Sequence, residues 1–252
     1  MLSLLPAVLG VVFTAVLAFA AVGSRALTFR AGLVAAIFGS VIVVIVGFAY
    51  LALLVLFVVG STLATRYRLE EKSRRHVQEG THGERGVANV VAHILVPTAL
   101  ALTALGTSAL LSEPMRELLY ASALAFGASD TFASEFGVLA GRARSILGGR
   151  SVEAGTNGGV SGIGELFALL GGALTAVMSV GLFALFGSAP AAPVGFAFTV
   201  TAAGFLSCQV DSILGQTLEN SGYLSKHSTN LLGMLSSVAI AFAVVAAFGG
   251  SV

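Results

Sequence analysis

Apolar residues in this chain run in long, almost unbroken blocks separated by short polar stretches, with neither a period-two alternation nor a single helical stripe. A helix needs about 20 such residues to cross the hydrocarbon core of a bilayer. Blocks near that size lie at Leu2–Val22, Ala31–Gly47, Phe48–Thr65, Val87–Leu111, Leu118–Ala140, Ser161–Gly187, Val194–Gly215 and Leu231–Gly249. The second and third form one continuous run, and charge decides how to cut it. A single crossing sets Arg25 and Arg30 opposite Arg66, Arg68, Lys72, Arg74 and Arg75, whereas two crossings with a tight turn near Gly47 put both clusters on one side. Under the second scheme Arg116 alone, of 13 Lys and Arg residues, lies outside, as the positive-inside rule expects. The pattern therefore predicts an all-α, polytopic transmembrane bundle of about eight spans, with both termini outside.

Composition agrees. Of 252 residues 56% are hydrophobic and 10% charged, against roughly 25% charged in an ordinary soluble domain. That leaves too few polar side chains to cover a water-facing surface, so the chain is read as one integral membrane domain over 1–252. Residues 1–86 supply the N-terminal spans and first basic loop, and residues 87–252 the spans that hold the candidate chemistry. A net charge of +1, with no basic stripe interleaved with aromatics, gives no sign of nucleic-acid binding. Cys208 is the single cysteine, which excludes an intrachain disulfide. The outer connections, Ser112–Glu117 and Ser188–Pro193, are short. The inner ones, Arg66–Gly86, Gly141–Val160 and Gln216–Asn230, are longer and polar, so chemistry on soluble substrates is expected on the cytoplasmic face of the cell membrane.

Two aspartates stand out because a carboxylate at membrane depth is retained mainly where it meets a cation, a partner or water. Asp130, Ala133, Ser134, Gly137 and Gly141 share one helical face, as do Gly204, Ser207, Asp211 and Gly215 in a later span. Both helices run from outside to inside, which sets the carboxylates at similar depth. Small residues at this spacing let helices approach closely. Two facing carboxylates near water suit Mg²⁺, which keeps few protein oxygens and fills its shell with water and phosphate. Glu135 points away from this face in a regular helix and joins the metal set only if the helix ends early or another helix covers that side.

The segment Gly155-Thr156-Asn157-Gly158-Gly159-Val160-Ser161 precedes the sixth span. Amides at a helix N-terminus favour an anion, and glycines allow the left-handed turns that aim several amides at one point. It has neither the Gly-Lys-Ser/Thr of a Walker loop nor the strand before a dinucleotide fingerprint. Arg142, Arg144 and Arg150 lie just ahead of it, and Arg66, Lys72 and Arg85 occupy the first inner loop. Each could bind phosphate or simply hold orientation. His76 and His82 read as surface residues; Asn89 and His93, inside the fourth span, read as pocket residues.

Asp130-Thr-Phe-Ala-Ser-Glu135, Gly155-Thr-Asn-Gly-Gly-Val-Ser161 and Asp211-Ser-Ile-Leu-Gly215 together resemble the phytyl-phosphate kinase family. More distantly they resemble the CTP-dependent dolichol and phytol kinases. Ser61-Thr-Leu-Ala-Thr65, Lys72, and Arg85 followed by Asn89 extend the likeness over most of the chain. Two positions depart from it: Arg150 stands where a lysine is usual, and Gln216 where alanine is common. The resemblance implies a membrane kinase that moves a phosphoryl group from CTP or another nucleoside triphosphate to a prenyl monophosphate, giving the diphosphate. It implies Asp130, Asp211 and Glu135 around Mg²⁺, supported by Ser134 and Ser212, with Gly155, Thr156, Asn157, Gly158, Gly159 and Ser161 cradling donor phosphates. Arg142, Arg150, Lys72 and Arg85 would neutralise charge beside Asn89, with Arg150 in the catalytic set. The implied partners are the prenyl-phosphate lipid, the nucleotide and membrane lipids. The prenyl tail would lie between spans, with Phe126, Phe132 and Phe136 as candidate walls. A CDP-lipid-forming cytidylyltransferase, a prenol kinase and a transporter with broken helices remain as alternatives.

Overall fold

A computed structural model describes residues 4–78, 80, 83–106 and 111–248. The expected surface residue His82 and the outermost ends of the first and last apolar blocks, Leu2 and Gly249, lie outside the described residues. The helices are α1 (Leu4–Gly23), α2 (Phe29–Val46), α3 (Phe48–Arg66), the short α4 (Leu69–Arg74), α5 (Val87–Leu102), α6 (Glu113–Gly137), α7 (Gly162–Leu185), α8 (Pro193–Leu214) and α9 (Lys226–Ala247). Between α6 and α7 the chain forms three short strands, β1 (Arg142–Ser145), β2 (Ser151–Glu153) and β3 (Gly159–Val160). They make one antiparallel sheet in the order β2-β1-β3, a small addition to the all-helical expectation.

The fused apolar run does break at Gly47, whose φ of +91° lies in the region that favours glycine and ends α2 one residue before α3 begins. Polar bonds then gather the basic connections at one end of the bundle. The Arg66 guanidinium donates to Ser24 O, and Arg75 Nη1 donates to Val138 O at 3.3 Å.

Among the described residues seven helices, α1, α2, α3, α5, α7, α8 and α9, are long and apolar enough to cross a membrane. The remaining expected span, the fifth (Leu118–Ala140), corresponds to α6, which has the length, at 25 residues, but carries Glu113, Arg116, Glu117, Asp130 and Glu135. It tolerates them because it is surrounded by protein: α3, α5, α7, α8 and α9 all pack on it, and every residue from Arg116 to Ser129 is buried. At one end Tyr120 donates to Tyr50 O at 3.0 Å, near the Gly47 turn, while the other end reaches the basic connections. The helix therefore runs the length of the bundle.

Glycines make that enclosure tight. A Cβ at Gly171 of α7 would sit 2.7 Å from Ala128 O, one at Gly204 of α8 2.9 Å from Ala125, and one at Gly233 of α9 2.3 Å from the Phe126 ring. Backbone meets backbone at Gly171 and Gly204, and the Phe126 ring lies on the bare backbone at Gly233, as small residues permit between membrane helices. Element ends differ from expectation where caps act. Pro114 in the first turn lets α6 begin at Glu113 instead of Leu118, and Ser225 accepts from Ser228 N to start α9 at Lys226. Beyond α8 the helix continues as one π turn, Gly215–Glu219.

Candidate functional site

The enclosure of α6 by α7 and α8 brings Asp130 and Asp211 to one cavity of about 330 Å³ at the basic end of the bundle. Gly137 and Gly164 allow it, since a Cβ on either would come within 3.5 Å of the other's Cα. Ser134 lies one turn beyond Asp130, Ser212 follows Asp211, and Gly155 to Ser161 forms another wall. The two aspartates are close enough to feel each other's charge, and Lys226 at the start of α9 acts on Asp211 as well. Asp211 Oδ1 is buried and accepts no hydrogen bond among the described residues. An orphaned acceptor of that kind calls for an unseen cation, water or ligand.

The glycine-rich wall is built by the sheet. β1 pairs with β2 at Ala143↔Val152 and with β3 at Arg144↔Val160. Thr156 N donates to Glu153 O at 3.2 Å, and Gly159 N donates to Thr156 O at 2.8 Å, closing two successive turns. Gly155 and Gly158, at φ +91° and +72°, supply the left-handed positions. Only part of the expected amide nest therefore remains for an anion. Gly155, Asn157, Gly158 and Ser161 are the residues of this wall whose N–H groups no described bond takes.

Gln216 fastens this unit to the end of α8. Its Oε1 accepts from Ser145 Oγ at 2.9 Å and Leu147 N at 3.1 Å, while its Nε2 donates to Leu147 O at 3.3 Å. Asn157 Nδ2 donates to Glu219 Oε1 at 3.0 Å and Asn220 Oδ1 at 3.2 Å, both at the end of the π turn. Irregular turns of this type often mark functional sites in helices.

Several expected site residues do different work. Glu135 lines the same cavity but projects from another face of α6 than Asp130, because the helix stays regular through Gly137, and its Oε2 is taken by Lys72 Nζ at 2.6 Å. Among the described residues no group of three or more His, Cys, Asp or Glu could hold a metal ion. Lys72 is not a phosphate ligand either. Its ammonium is fully buried and donates to Ala64 O, Thr65 O and Glu135, which uses all three protons. Arg142 and Arg150 are exposed and do not line the cavity. Strand alternation turns Ala143 toward it and Arg142 and Arg144 away. The Asn157 side-chain amide is spent on Glu219 and Asn220, leaving its backbone N–H. The Ser161 hydroxyl caps α7 by accepting from Gly164 N at 3.1 Å. Arg85 and Asn89 border a different, apolar cavity. Of the three phenylalanines, Phe126 is fully buried under Gly233, Phe132 lies against Gly60, and Phe136 stacks on Phe167 at 3.9 Å. None lines either cavity.

Other contributors escaped sequence reasoning. Lys226 and Asn230 of α9 and Glu165 of α7 line the cavity, and Gln209 Nε2 donates to Glu165 Oε2 at 2.9 Å. A faint signal existed for Asn230, because Thr229-Asn230 after Asp211 echoes Thr156-Asn157 after Asp130. With Glu135 tied to Lys72, Glu165 to Gln209 and Glu219 to Asn157, the Asp130 and Asp211 carboxylates remain as candidates, and such a pair fits a magnesium ion that completes its shell with water and substrate phosphate.

Residues 12–236 match the family described as Integral membrane protein DUF92. The chain is 31% identical over 215 residues to Uncharacterized membrane protein MJ0933 of Methanocaldococcus jannaschii, covering 84% of this chain and 83% of that one. It is 32% identical over 198 residues to Protein PGR of Arabidopsis thaliana, covering 71% and 67%. It is also 31% identical over 204 residues to Uncharacterized membrane protein sll0875 of Synechocystis, covering 78% and 74%. No solved structure matches. With nearly the whole bundle inside the matched region, from within α1 to the middle of α9, the chain belongs to the DUF92 family of integral membrane proteins.

Proposed function

We propose that the protein is a membrane phosphotransferase that passes a phosphoryl group from CTP, or another nucleoside triphosphate, to a prenyl monophosphate at the cytoplasmic face. The observation that supports this most is the meeting of Asp130 and Asp211, one of them with a buried orphaned oxygen, in a cavity walled by the glycine-rich turn. The motif resemblance adds the donor and acceptor classes.

An oxygen of the acceptor monophosphate attacks the γ-phosphorus of the donor. The bond from that phosphorus to the β-phosphate bridging oxygen breaks, and the nucleoside diphosphate leaves with the electron pair. The acceptor oxygen is already anionic, so no strong general base is needed, and among the described residues His76 is the one histidine that lines the cavity. Magnesium, when bound, offsets charge on the donor phosphates. Asp130 and Asp211 would hold it, Ser212 would orient the carboxylates while Ser134, its proton donated to Thr131 O, would offer its oxygen to the cavity, and Lys226 would face the developing negative charge. The amides of Gly155, Asn157 and Gly158 are suited to the donor's phosphate oxygens. Catalysis of this type rests on positioning and charge stabilisation.

The test is purified protein in detergent with radiolabelled CTP, magnesium and a panel of prenyl alcohols and monophosphates. The expected products are a prenyl diphosphate and CDP. Release of pyrophosphate instead would assign a cytidylyltransferase, and transfer to the alcohols alone a prenol kinase. Absence of transfer from any nucleotide, alongside nucleotide-independent solute uptake by reconstituted vesicles, would overturn the reading in favour of a transporter.

A further inference from the structure

A second cavity, of about 410 Å³, opens between α1 and α3 beneath α2 and α5. That volume falls within the ~300–1,000 Å³ range of small-molecule sites. Its walls are almost entirely apolar, with Leu17 and Ala21 from α1, Leu54, Val55 and Val58 from α3, and Ile94 from α5. The lining on α1 runs from Thr14 to Ser24, about 15 Å at the helical rise per residue, so the space is elongated along the bundle. Phe13 and Phe48, edge to face at 6.0 Å, bridge α1 and α3 beyond its deep end.

The other end is polar. Arg85, Asn89 and His93 border it, each less than 8% exposed. Arg85 is held there by its backbone: its N donates to Ala26 O at 3.0 Å and its O accepts from Thr28 N at 3.1 Å. The guanidinium consequently stands over the Phe57 ring at 5.9 Å, and Nη2 donates to Thr131 Oγ1 at 3.4 Å. Thr131 follows Asp130, which lines the first cavity. Adjacent residues of α6, Thr131 and Asp130, thus meet the apolar cavity's cationic residue and the acidic cavity respectively, and the two cavities share no lining residue. A buried guanidinium at the head of an apolar slot complements one class of molecule, an apolar chain with an anionic head.

We propose that this cavity holds the hydrocarbon chain of a single-chain lipid phosphate, with its phosphate at Arg85 and facing the Asp130 cavity. The proposal rests on the phosphotransferase reading and adds where the acceptor lies and by which helices it enters, sideways from the bilayer between α1 and α3.

The experiment uses full-length protein and geranylgeranyl monophosphate bearing a diazirine at its tail, irradiated and mapped by peptide mass spectrometry. Cross-links are expected in 17–21 of α1 and 54–58 of α3. They should be competed by geranylgeranyl monophosphate at least about tenfold better than by geranylgeraniol. Val55→Trp, and independently Ala21→Phe on the peripheral α1, should lower labelling and raise the acceptor KM while leaving the donor KM alone; Arg85→Gln should erase the preference for phosphate over alcohol. Cross-links confined to α6–α8, or equal competition by the alcohol, overturn the proposal. The two readings fail separately. Labelling of α1 and α3 that survives in a protein without transferase activity leaves the cavity assignment standing and removes the kinase. Transfer with labelling elsewhere does the reverse.

Discussion

Lys72 Nζ lies 2.6 Å from Glu135 Oε2, in a position wholly excluded from solvent, and also donates to the last carbonyls of α3 at Ala64 and Thr65. One side chain therefore ties the short α4, the end of α3 and the buried α6 together. A cation at a helix C-terminus is favourable in its own right. Breaking a buried pair by removing one partner costs about 3–5 kcal/mol, because the other charge is left uncompensated. Lys72→Met is expected to lower the thermal unfolding midpoint of detergent-solubilised protein sharply. Lys72→Met/Glu135→Leu should recover most of the loss. A single mutant as stable as the parent would show that the pair contributes nothing.

Asp130→Asn and Asp211→Asn keep side-chain volume but remove the charge at the proposed cation site. Each should cut transfer by about a hundredfold or more, the size of effect seen when one preorganised electrostatic contact is deleted. Unfolding midpoints should hold or rise, since two like charges in one cavity repel. Assays of transfer and melting on the same preparations check both halves. Full activity in either variant removes that residue from the site.

Gly158→Val tests how the glycine turn is seated. Gly158 has φ +72°, and an added Cβ would fall 2.4 Å from Gln216 Cβ and 2.8 Å from Ser212 O. The left-handed backbone alone costs a side chain roughly 1–2 kcal/mol, and the collision with α8 adds to it. The turn should lift away from Ser212, weakening nucleotide affinity in a calorimetric titration. Unchanged affinity would leave the turn as a cap on α7 with no part in binding.

Gln216→Ala removes three hydrogen bonds to Ser145 and Leu147 without altering the cavity wall at Asp211. At about 0.5–1.5 kcal/mol per bond, and toward the low end because Leu147 is exposed, the β1–β2 turn should loosen. Hydrogen–deuterium exchange at residues 145–149 reads this directly, and unchanged protection would refute the fastening role.

The spans were legible because lipid allows few alternatives: long apolar blocks must become helices, and basic residues cluster on one side. The meeting of Asp130 with Asp211 was legible too, since small residues at helical spacing mark both faces. The arginines were not. Whether Arg142 faces a cavity or water depends on strand pairing, and pairing Ala143 with Val152 and Arg144 with Val160 fixes it through contacts absent from local sequence. Lys72 misled for a similar reason, as its partner lies 63 residues away. Arg85 carried the right chemistry but is anchored by Ala26 and Thr28, in a loop no local motif connects to it.

The encirclement of α6 constrains biogenesis. A nascent chain delivers α6 to the translocon before α7, α8 and α9 have been synthesised. At that stage Glu135 can already pair with Lys72, but Asp130 lacks the cover of α7 and α8, and an Asp at mid-membrane costs about 2.5–3.5 kcal/mol on the insertion scale. Stable residence of that segment in the bilayer therefore awaits the later helices, and the C-terminal half integrates as one cooperative step. A chain truncated after Arg150 and tagged with a glycosylation acceptor should report mixed orientation; a uniform one would show that α6 inserts unaided.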